Sequence, residues 1–529
     1  MYGFIPASGR DPGVSRPRLA AVAAAAACAL AMAGCSGGGS GSHATTQLSI
    51  QFPGPPVSMD PAKAGNGGST VFVSLAYDPL IYLSGKGELV PDLATEWGFT
   101  DNANKVFELT LRDGVTFSDG SKLTAEAAAA SMNYFLKASG GLVGKVGPIA
   151  KVEAVAASKV RITYRNPTPE AATTLTQFNG MGNIIGPKGL ADPKSLLTSS
   201  DGTGQYIYDG ASSVADSRYV YKKNPHYFQP DAQHFDSAVV RVINNPNAVL
   251  SAATTGQVQF ASGSSNTAAA AKSAGLKVGA APFFNWSLNL VDRKGAVAPA
   301  LADVRVRQAI ALAFDRPALA KALAGTYAAG SNQVLLPGTV GYDKSLGYDY
   351  DVAKAKSLLA EAGYPDGLKL TVLTESVIDV NNTYSQAIAN ALKDIGIDVK
   401  LQVQATGIAQ FAADSLSKKY PALIFPTAGA TMAELNSQIM NGLFNPFGSA
   451  DSQLDDILQQ AAAATDEQTR TAKYQQASKR LQDLAWTVPI FSTENIYYVA
   501  KGMENVESSV LNPNPMPVGP TDALSWRLK

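Results

Sequence analysis

LVPDLATEWGFTDNANKVFELTLRDGVTFSDGSKLTAEAAAASMNYFL, residues Leu89 to Leu136, is the stretch from which the fold can be read. From Val106 to Arg112 the side chains alternate, with Phe107, Leu109 and Leu111 on one face and Glu108, Thr110 and Arg112 on the other, the period of a half-buried strand. Asp113-Gly114 supplies a turn that predicts a hairpin into Val115-Thr116-Phe117, and Asp119-Gly120 turns the chain again. Thr124 predicts an N-cap, with Glu126 in the first turn and Met132, Phe135 and Leu136 along one face of the helix that follows. Strands and a capped helix within fifty residues place the chain in the α/β class.

Working outward, 529 residues are enough for more than one lobe with its own core. Lys and Arg together number 43, as do Asp and Glu, so the charge balance offers nothing to a nucleic acid or another polyanion. Both cysteines, Cys28 and Cys35, lie near the N-terminus, which excludes a disulfide framework in the body. Arg10, Arg16 and Arg18 precede an uncharged apolar run from Leu19 to Ala33, short for a bilayer span of ~20 residues and suited to the core of an export signal. Ser36 to Ser42 is a Gly/Ser tether. Removal of residues 1–34 takes away three Arg and one Asp, leaving 40 basic and 42 acidic residues, a net charge of −2.

The remaining elements follow in order. Thr46 to Phe52 alternates as a first strand, and Asp60-Pro61 lies in a Pro/Gly-rich loop where the carboxylate caps the turn. Val152 to Tyr164 predicts two strands, Arg218 to Lys223 and Phe235 to Ile243 two more, and Ala248 to Gly256 a helix. Phe284 to Leu290 predicts a crossing strand, after which Asp303 caps a helix that buries Val306, Ile310 and Phe314 and exposes Arg305 and Arg307. Leu368 to Leu373, Tyr384 to Lys393 and Ile397 to Val403 form a strand, helix, strand unit whose crossover makes the strands parallel. Two helices follow, and Val488 to Val499 recrosses. A chain that leaves one lobe, builds another and returns has paired linkers that act as a hinge. The expected boundaries are lobe I at 46–290, with an extra subdomain at about 84–225, lobe II at 291–490 and a return to lobe I at 491–529.

Pro91-Asp92-Leu93-Ala94, Glu96-Trp97, Leu111-Arg112-Asp113-Gly114-Val115, Phe117, Asp119-Gly120 and Leu123-Thr124-Ala125-Glu126 stand in an order that resembles the bacterial extracellular solute-binding proteins of family 5, the oligopeptide, dipeptide and nickel class serving ABC importers. Tyr77-Asp78-Pro79-Leu80, Gly202-Thr203-Gly204-Gln205-Tyr206, Lys223-Asn224-Pro225-His226-Tyr227-Phe228 and the helix VRVRQAIALAFDR extend the resemblance. It implies a two-lobed periplasmic-binding-protein-like fold with a hinge, a larger first lobe and a cleft closed by whatever binds both halves. Met32-Ala33-Gly34-Cys35 resembles a lipobox, with Met32 where the pattern prefers Leu. That implies acylation at Cys35 and an extracytoplasmic monomer anchored to the outer face of the cell membrane, working with ABC permease subunits.

No catalytic constellation is visible in the sequence. His226 and His234 lack ligands at metal spacing, Ser415-Leu416-Ser417-Lys418 stands without the companion words of an acyl-serine enzyme, and the sequence calls for no cofactor. The expectation is capture and delivery without covalent chemistry; a secreted hydrolase or a sensory binding module on the same scaffold are the alternatives. The resemblance implies a ligand wall at Tyr420 to Phe425 and the following loop, with Phe425, Thr427, Gly429 and Thr431 as contacts. Peptide-binding members carry Trp and then an ammonium-binding Asp in that loop, whereas this chain has Pro426-Thr427-Ala428-Gly429-Ala430. Thr374-Glu375-Ser376 replaces the Arg that dipeptide binders offer to a carboxylate. Charged hydrogen bonds are worth roughly 1.5 to 3 kcal/mol each, so a free dipeptide is disfavoured relative to a longer or blocked peptide or another polar solute. Glu375 reads either as an exposed strand-end carboxylate or as a counter-charge to a cationic ligand. Trp286, Phe425 and Tyr497 are candidates for stacking on the ligand or for core packing.

Overall fold

The computed structural model describes residues 46–65, 69–138, 140–429, 431–440 and 442–529, and the expected signal segment, tether and Cys35 fall outside that range. Strand β1 (Gln47–Phe52) turns Leu48 and Ile50 into a core. The organising stretch belongs to a separate antiparallel sheet of four strands, β2 (Ala94–Phe99), β3 (Val106–Leu111), β4 (Ile149–Ala156) and β5 (Lys159–Tyr164), in the order β2-β3-β5-β4. Phe107, Leu109 and Leu111 face its core, and α1 (Ala125–Lys137) covers it through Met132 and Phe135. The Thr124 hydroxyl accepts from the Ala127 amide at 3.2 Å, the N-cap that the sequence predicts.

The hairpin expected after Asp113-Gly114 does not form. β3 pairs with β2 and β5, and the returning segment makes an isolated bridge between Thr116 and Lys122. Gly114 and Gly120 do take the left-handed turn conformation, φ +77° and +85°. Val115 and Phe117 are buried, so the apolar side chains that suggested a strand serve the core instead.

Residues from five of the motifs that carry the resemblance meet beside this sheet. Asp78 and Asp92 are 4% and 1% exposed, and Arg112 donates to the Asp92 carbonyl at 2.8 Å while its guanidinium lies 5.4 Å from the Phe228 ring centre. Burial pushes the Asp78 carboxyl up to about 7 against the pull of Thr203 and Arg112. Burial and then the Asp78 charge hold Asp92 well above the usual carboxylate range, again opposed by Arg112. Two buried acids beside one guanidinium retain a proton at neutral pH.

Beyond this subdomain come β6 (Tyr206–Tyr208), β7 (Arg218–Lys223), β8 (Ser237–Val242), α2 (Pro246–Thr254), β9 (Phe260–Ser262) and the 14-residue β10 (Lys277–Leu290). Then follow α3 (Val304–Leu312), β11 (Ala328–Gly330), β12 (Leu368–Glu375), α4 (Thr383–Lys393), β13 (Ile397–Gln404), β14 (Ala422–Thr427), α5 (Met432–Met440), α6 (Ser452–Ala463), α7 (Glu467–Leu484) and the 13-residue β15 (Thr487–Val499). They build one eleven-stranded sheet in the order β13-β12-β14-β10-β15-β9-β1-β8-β7-β6, with β11 also on β15. β10 and β15 pair antiparallel from Lys277–Val499 to Asn289–Thr487, a ribbon along which separate cores lie to either side. β12 and β13 are parallel, as the crossover rule requires.

Arg305 is exposed and paired with Asp303 at 2.6 Å, but Arg307 is not the solvated residue the helix pattern suggested. It is 5% exposed and donates to the carbonyls of Leu484, Leu301 and Ala302. Its guanidinium ties the end of α7 to the segment before α3, a role that depends on where α7 ends and that helical periodicity does not contain.

Candidate functional site

Strand sense locates the site before any side chain is considered. β1 and β8 run parallel, β1 is parallel to β9, and β9 and β10 are both antiparallel to β15. On the other side, β12, β13 and β14 run together, and β14 is antiparallel to β10. The carboxyl ends of both strand sets therefore point toward the middle of the ribbon, where Ser262 pairs with Tyr497 and Thr427 with Asn285. Ligands of open α/β sheets bind at such carboxyl ends. The ribbon is irregular there, with register shifts between Pro282 and Phe284 and between Trp286 and Ser287.

One wall is the end of β14 and the start of α5. Thr427 and its cross-strand neighbour Asn285 are 0% and 2% exposed, and the Thr427 hydroxyl and the Asn285 side-chain oxygen have no partner among the described residues. The Asn285 amide is anchored by donation to the Gln333 and Val334 carbonyls at 2.9 and 3.1 Å. Gln438 on α5 donates to the Ala428 carbonyl at 2.6 Å, and the Thr431 hydroxyl caps α5 by accepting from the Glu434 amide at 3.2 Å. Thr431-Met432-Ala433-Glu434 has the spacing of a capping box, a signal that the sequence carried and that was not used. A β-carbon on Gly429 would stand 3.3 Å from a Glu434 carboxylate oxygen, so glycine leaves room for that carboxylate close to where the loop lacks the family's Asp.

Across the junction, the Tyr474 hydroxyl on α7 donates to the Glu170 carboxylate. Burial raises Glu170 above the ordinary carboxylate value, the Tyr474 hydrogen bond and Arg470 oppose this, and Glu434 adds to it. Asn104, in the left-handed conformation at φ +51°, donates its amide to the Ala462 and Ala464 carbonyls at 3.2 and 3.0 Å. The Asn104 side chain thus caps the C-terminal end of α6. Its own carbonyl accepts from Thr168, tying Asn104 to the loop that carries Glu170. On β15, Glu494 is half-buried opposite Pro282 and is raised by burial, while Phe283 and Phe284 lie tilted with ring centres 4.3 Å apart.

Of the residues named from sequence, Thr427, Gly429 and Thr431 come together at this wall. Phe425 is half-buried in an aromatic group, stacked on Phe411 at 4.8 Å. Trp286 is 1% exposed, edge-on to Tyr384 at 4.8 Å and donating to the Thr493 hydroxyl. Tyr497 is 5% exposed, stacks on Phe260 at 5.4 Å and hydrogen-bonds Ser508. Glu375 is 1% exposed, not the exposed strand end of one reading, and it accepts from the amides of Val377, Ile378 and Asp379. Asn285, Glu170, Glu434, Tyr474 and Asn104 were missed, since only the folded chain brings them to one place. Ser415 of the SxxK word is buried and donates to the Leu443 carbonyl at 2.6 Å. No cluster of three or more His, Cys, Asp or Glu occurs among the described residues, nor does any helix there have the length and apolarity to cross a membrane.

Residues 88–445 match the family model described as bacterial extracellular solute-binding proteins, family 5 Middle. The chain is 27% identical over 451 residues to the glutathione-binding protein GsiB of Escherichia coli K12, covering 81% of this chain and 85% of that protein. Among solved structures it is similar to the ABC transporter substrate-binding protein CtaP of Listeria monocytogenes, at TM-score 0.77 and 21% identity, covering 92% of this chain and 99% of that one. It is also similar to the periplasmic binding protein DppA of Helicobacter pylori in complex with the peptide STSA, at TM-score 0.73 and 21% identity over 92% and 98% of the two chains.

Proposed function

Because the chain belongs to the bacterial extracellular solute-binding proteins of family 5, we propose that it captures a peptide in the cleft at the middle of the β10–β15 ribbon and delivers it unchanged to a membrane permease. The observation that carries this reading is the opposed set of strand carboxyl ends meeting at the middle of the paired strands β10 and β15. Asn285, Thr427, Gly429, Thr431 and Glu434 form the contact wall, and Phe425, Trp286 and Tyr497 set its shape by packing behind it. Glu375 orders the loop after β12 through backbone amides. A buried hydroxyl and amide oxygen that lack partners among the described residues suit hydrogen bonding to a ligand's main chain, which accepts many side-chain types. Residues 46–290, with the subdomain at about 84–225, and 491–529 form one lobe, 291–490 the other, and the ribbon is the hinge. The relatives named for glutathione and for a bound peptide support a peptide ligand. The body acts as a monomer outside the cytoplasm, held at the membrane by lipid on Cys35.

Gentle purification followed by denaturing release and mass spectrometry tests the ligand class, with peptides longer than two residues the expected content. Recovery of free dipeptides alone, or turnover of a peptide library, refutes the reading. Cys35→Ser is expected to release the protein from the membrane fraction, and unchanged retention refutes the anchor.

A further inference from the structure

Away from this wall, on the third and fourth strands out from β15, two arginines stand opposite each other. Arg218 on β7 and Arg241 on β8 are direct cross-strand partners, an arrangement that costs stability because like charges face at close range. A neighbouring cation on β7, Lys222, has a carboxylate at 2.6 Å in Asp209, whereas neither arginine has an ion-pair partner among the described residues. Arg218 donates to the Ser212 carbonyl at 3.1 Å. The Arg241 Nε is buried with no acceptor, and Gln51, its neighbour on β1, is committed to Ile243 and Ser262. Asp216, the acid of the adjoining turn, makes no ion pair with either arginine, and its amide donates to the Tyr219 hydroxyl.

Arg218 and Arg241 line an open surface hollow of about 360 Å³ together with Ser217, Gln257, Val214 and Ile243. That size suits a small ligand. Its polar lining offers N–H and O–H donors and two positive charges, with Arg218 exposed and Arg241 half-buried beside Val242 and Ile243. A guanidinium pairs with two oxygens of a planar or tetrahedral oxyanion, which turns the unfavourable Arg–Arg contact into a shared clamp.

We propose that the surface hollow beside the paired ends of β7 and β8 binds a small oxyanion, a phosphate or carboxylate group, clamped between Arg218 and Arg241 and independent of the peptide wall. Inorganic phosphate is the probe, added to the mature chain at constant ionic strength set with potassium chloride. A saturable rise in melting temperature in the millimolar range is expected, with phosphorus-31 line broadening that acetate reverses in the carboxylate arm of the test. Arg218→Gln and Arg241→Gln are each expected to weaken phosphate by at least about tenfold, the consequence of losing charge-assisted hydrogen bonds. Each is also expected to melt at or above the wild-type temperature in chloride alone, because one of the opposed charges is gone. A phosphate response no larger than that of chloride, absence of line broadening, or equal responses in the wild type and both variants overturns the proposal. Line broadening is read on the unmodified protein and needs no variant to fold.

Discussion

Asn104→Gly isolates the contact that would join the two proposed lobes, the Asn104 amide on the end of α6. Glycine keeps the left-handed backbone, φ +51°, at no steric cost, so the substitution removes the side chain alone. Two hydrogen bonds disappear, to the carbonyls of Ala462 and Ala464 at 3.2 and 3.0 Å. At a net value of about 1 kcal/mol each, the contact is worth about 2 kcal/mol, and the freed carbonyls at the end of α6 regain that hydration only if the two parts separate. A difference of about 2 kcal/mol is about 30-fold in the ratio of docked to undocked molecules. Spin labels on exposed positions of β4 and α7, read by pulsed electron resonance without ligand, are expected to show a longer distance population in the variant, and Tyr474→Phe is expected to move it the same way. An unchanged distance distribution in both variants would refute the view that this polar contact holds the parts together.

Asp78→Asn tests the buried acid pair. The native carboxyl titrates at about 7, above the value near 4 of an unfolded chain, so the native state holds the extra proton between those limits and loses stability as pH climbs from about 4 to about 7. The variant lacks that dependence, and its stability relative to wild type is expected to improve by on the order of 2 to 4 kcal/mol between pH 4 and pH 8 in urea unfolding; a pH-independent difference refutes the assignment. Thr427→Val removes a buried hydroxyl with no partner among the described residues, so stability is expected to stay level or rise by about 1 kcal/mol while the ligand-induced rise in melting temperature shrinks. If the ligand response is untouched, Thr427 does not face the ligand. Arg307→Met leaves three carbonyls without a donor and is expected to cost at least about 3 kcal/mol, seen as a lower urea midpoint. A midpoint within error of wild type would place Arg307 among the dispensable surface charges that its position in the helix pattern suggested.

Much of the architecture is written locally. The alternation of Phe107, Leu109 and Leu111 fixes a strand and its inward face, and Thr124 and Asp303 fix helix starts, because each needs only its own neighbours: Thr124 accepts from Ala127 and Asp303 from Arg305. The order of the family's words is legible for the same reason, although the meeting of Asp78, Asp92 and Arg112 in one buried network is not. Pairing choice escaped the sequence where two partners competed. Val115-Thr116-Phe117 had the turn for a hairpin, yet β3 took β2 and β5, since those strands offer alternating faces of matching length.

The site was legible only where it coincides with a chain segment. Thr427, Gly429 and Thr431 are close in sequence and stay close in the fold, whereas Asn285 joins them through a cross-strand pair 142 positions away by residue number. Glu375 shows the reverse: its charge was plain in the sequence, but the amides that receive it depend on a loop conformation that no periodicity encodes. Sequence alone determined most of the strands and the helix caps, because these follow from periods of two and 3.6 residues and from the chemistry of turns. Tertiary structure alone decided which charges are buried, which carbonyls Asn104 and Arg307 serve and which polar atoms are left for a ligand, because burial and hydrogen-bond supply are set by segments that meet in space after hundreds of intervening residues.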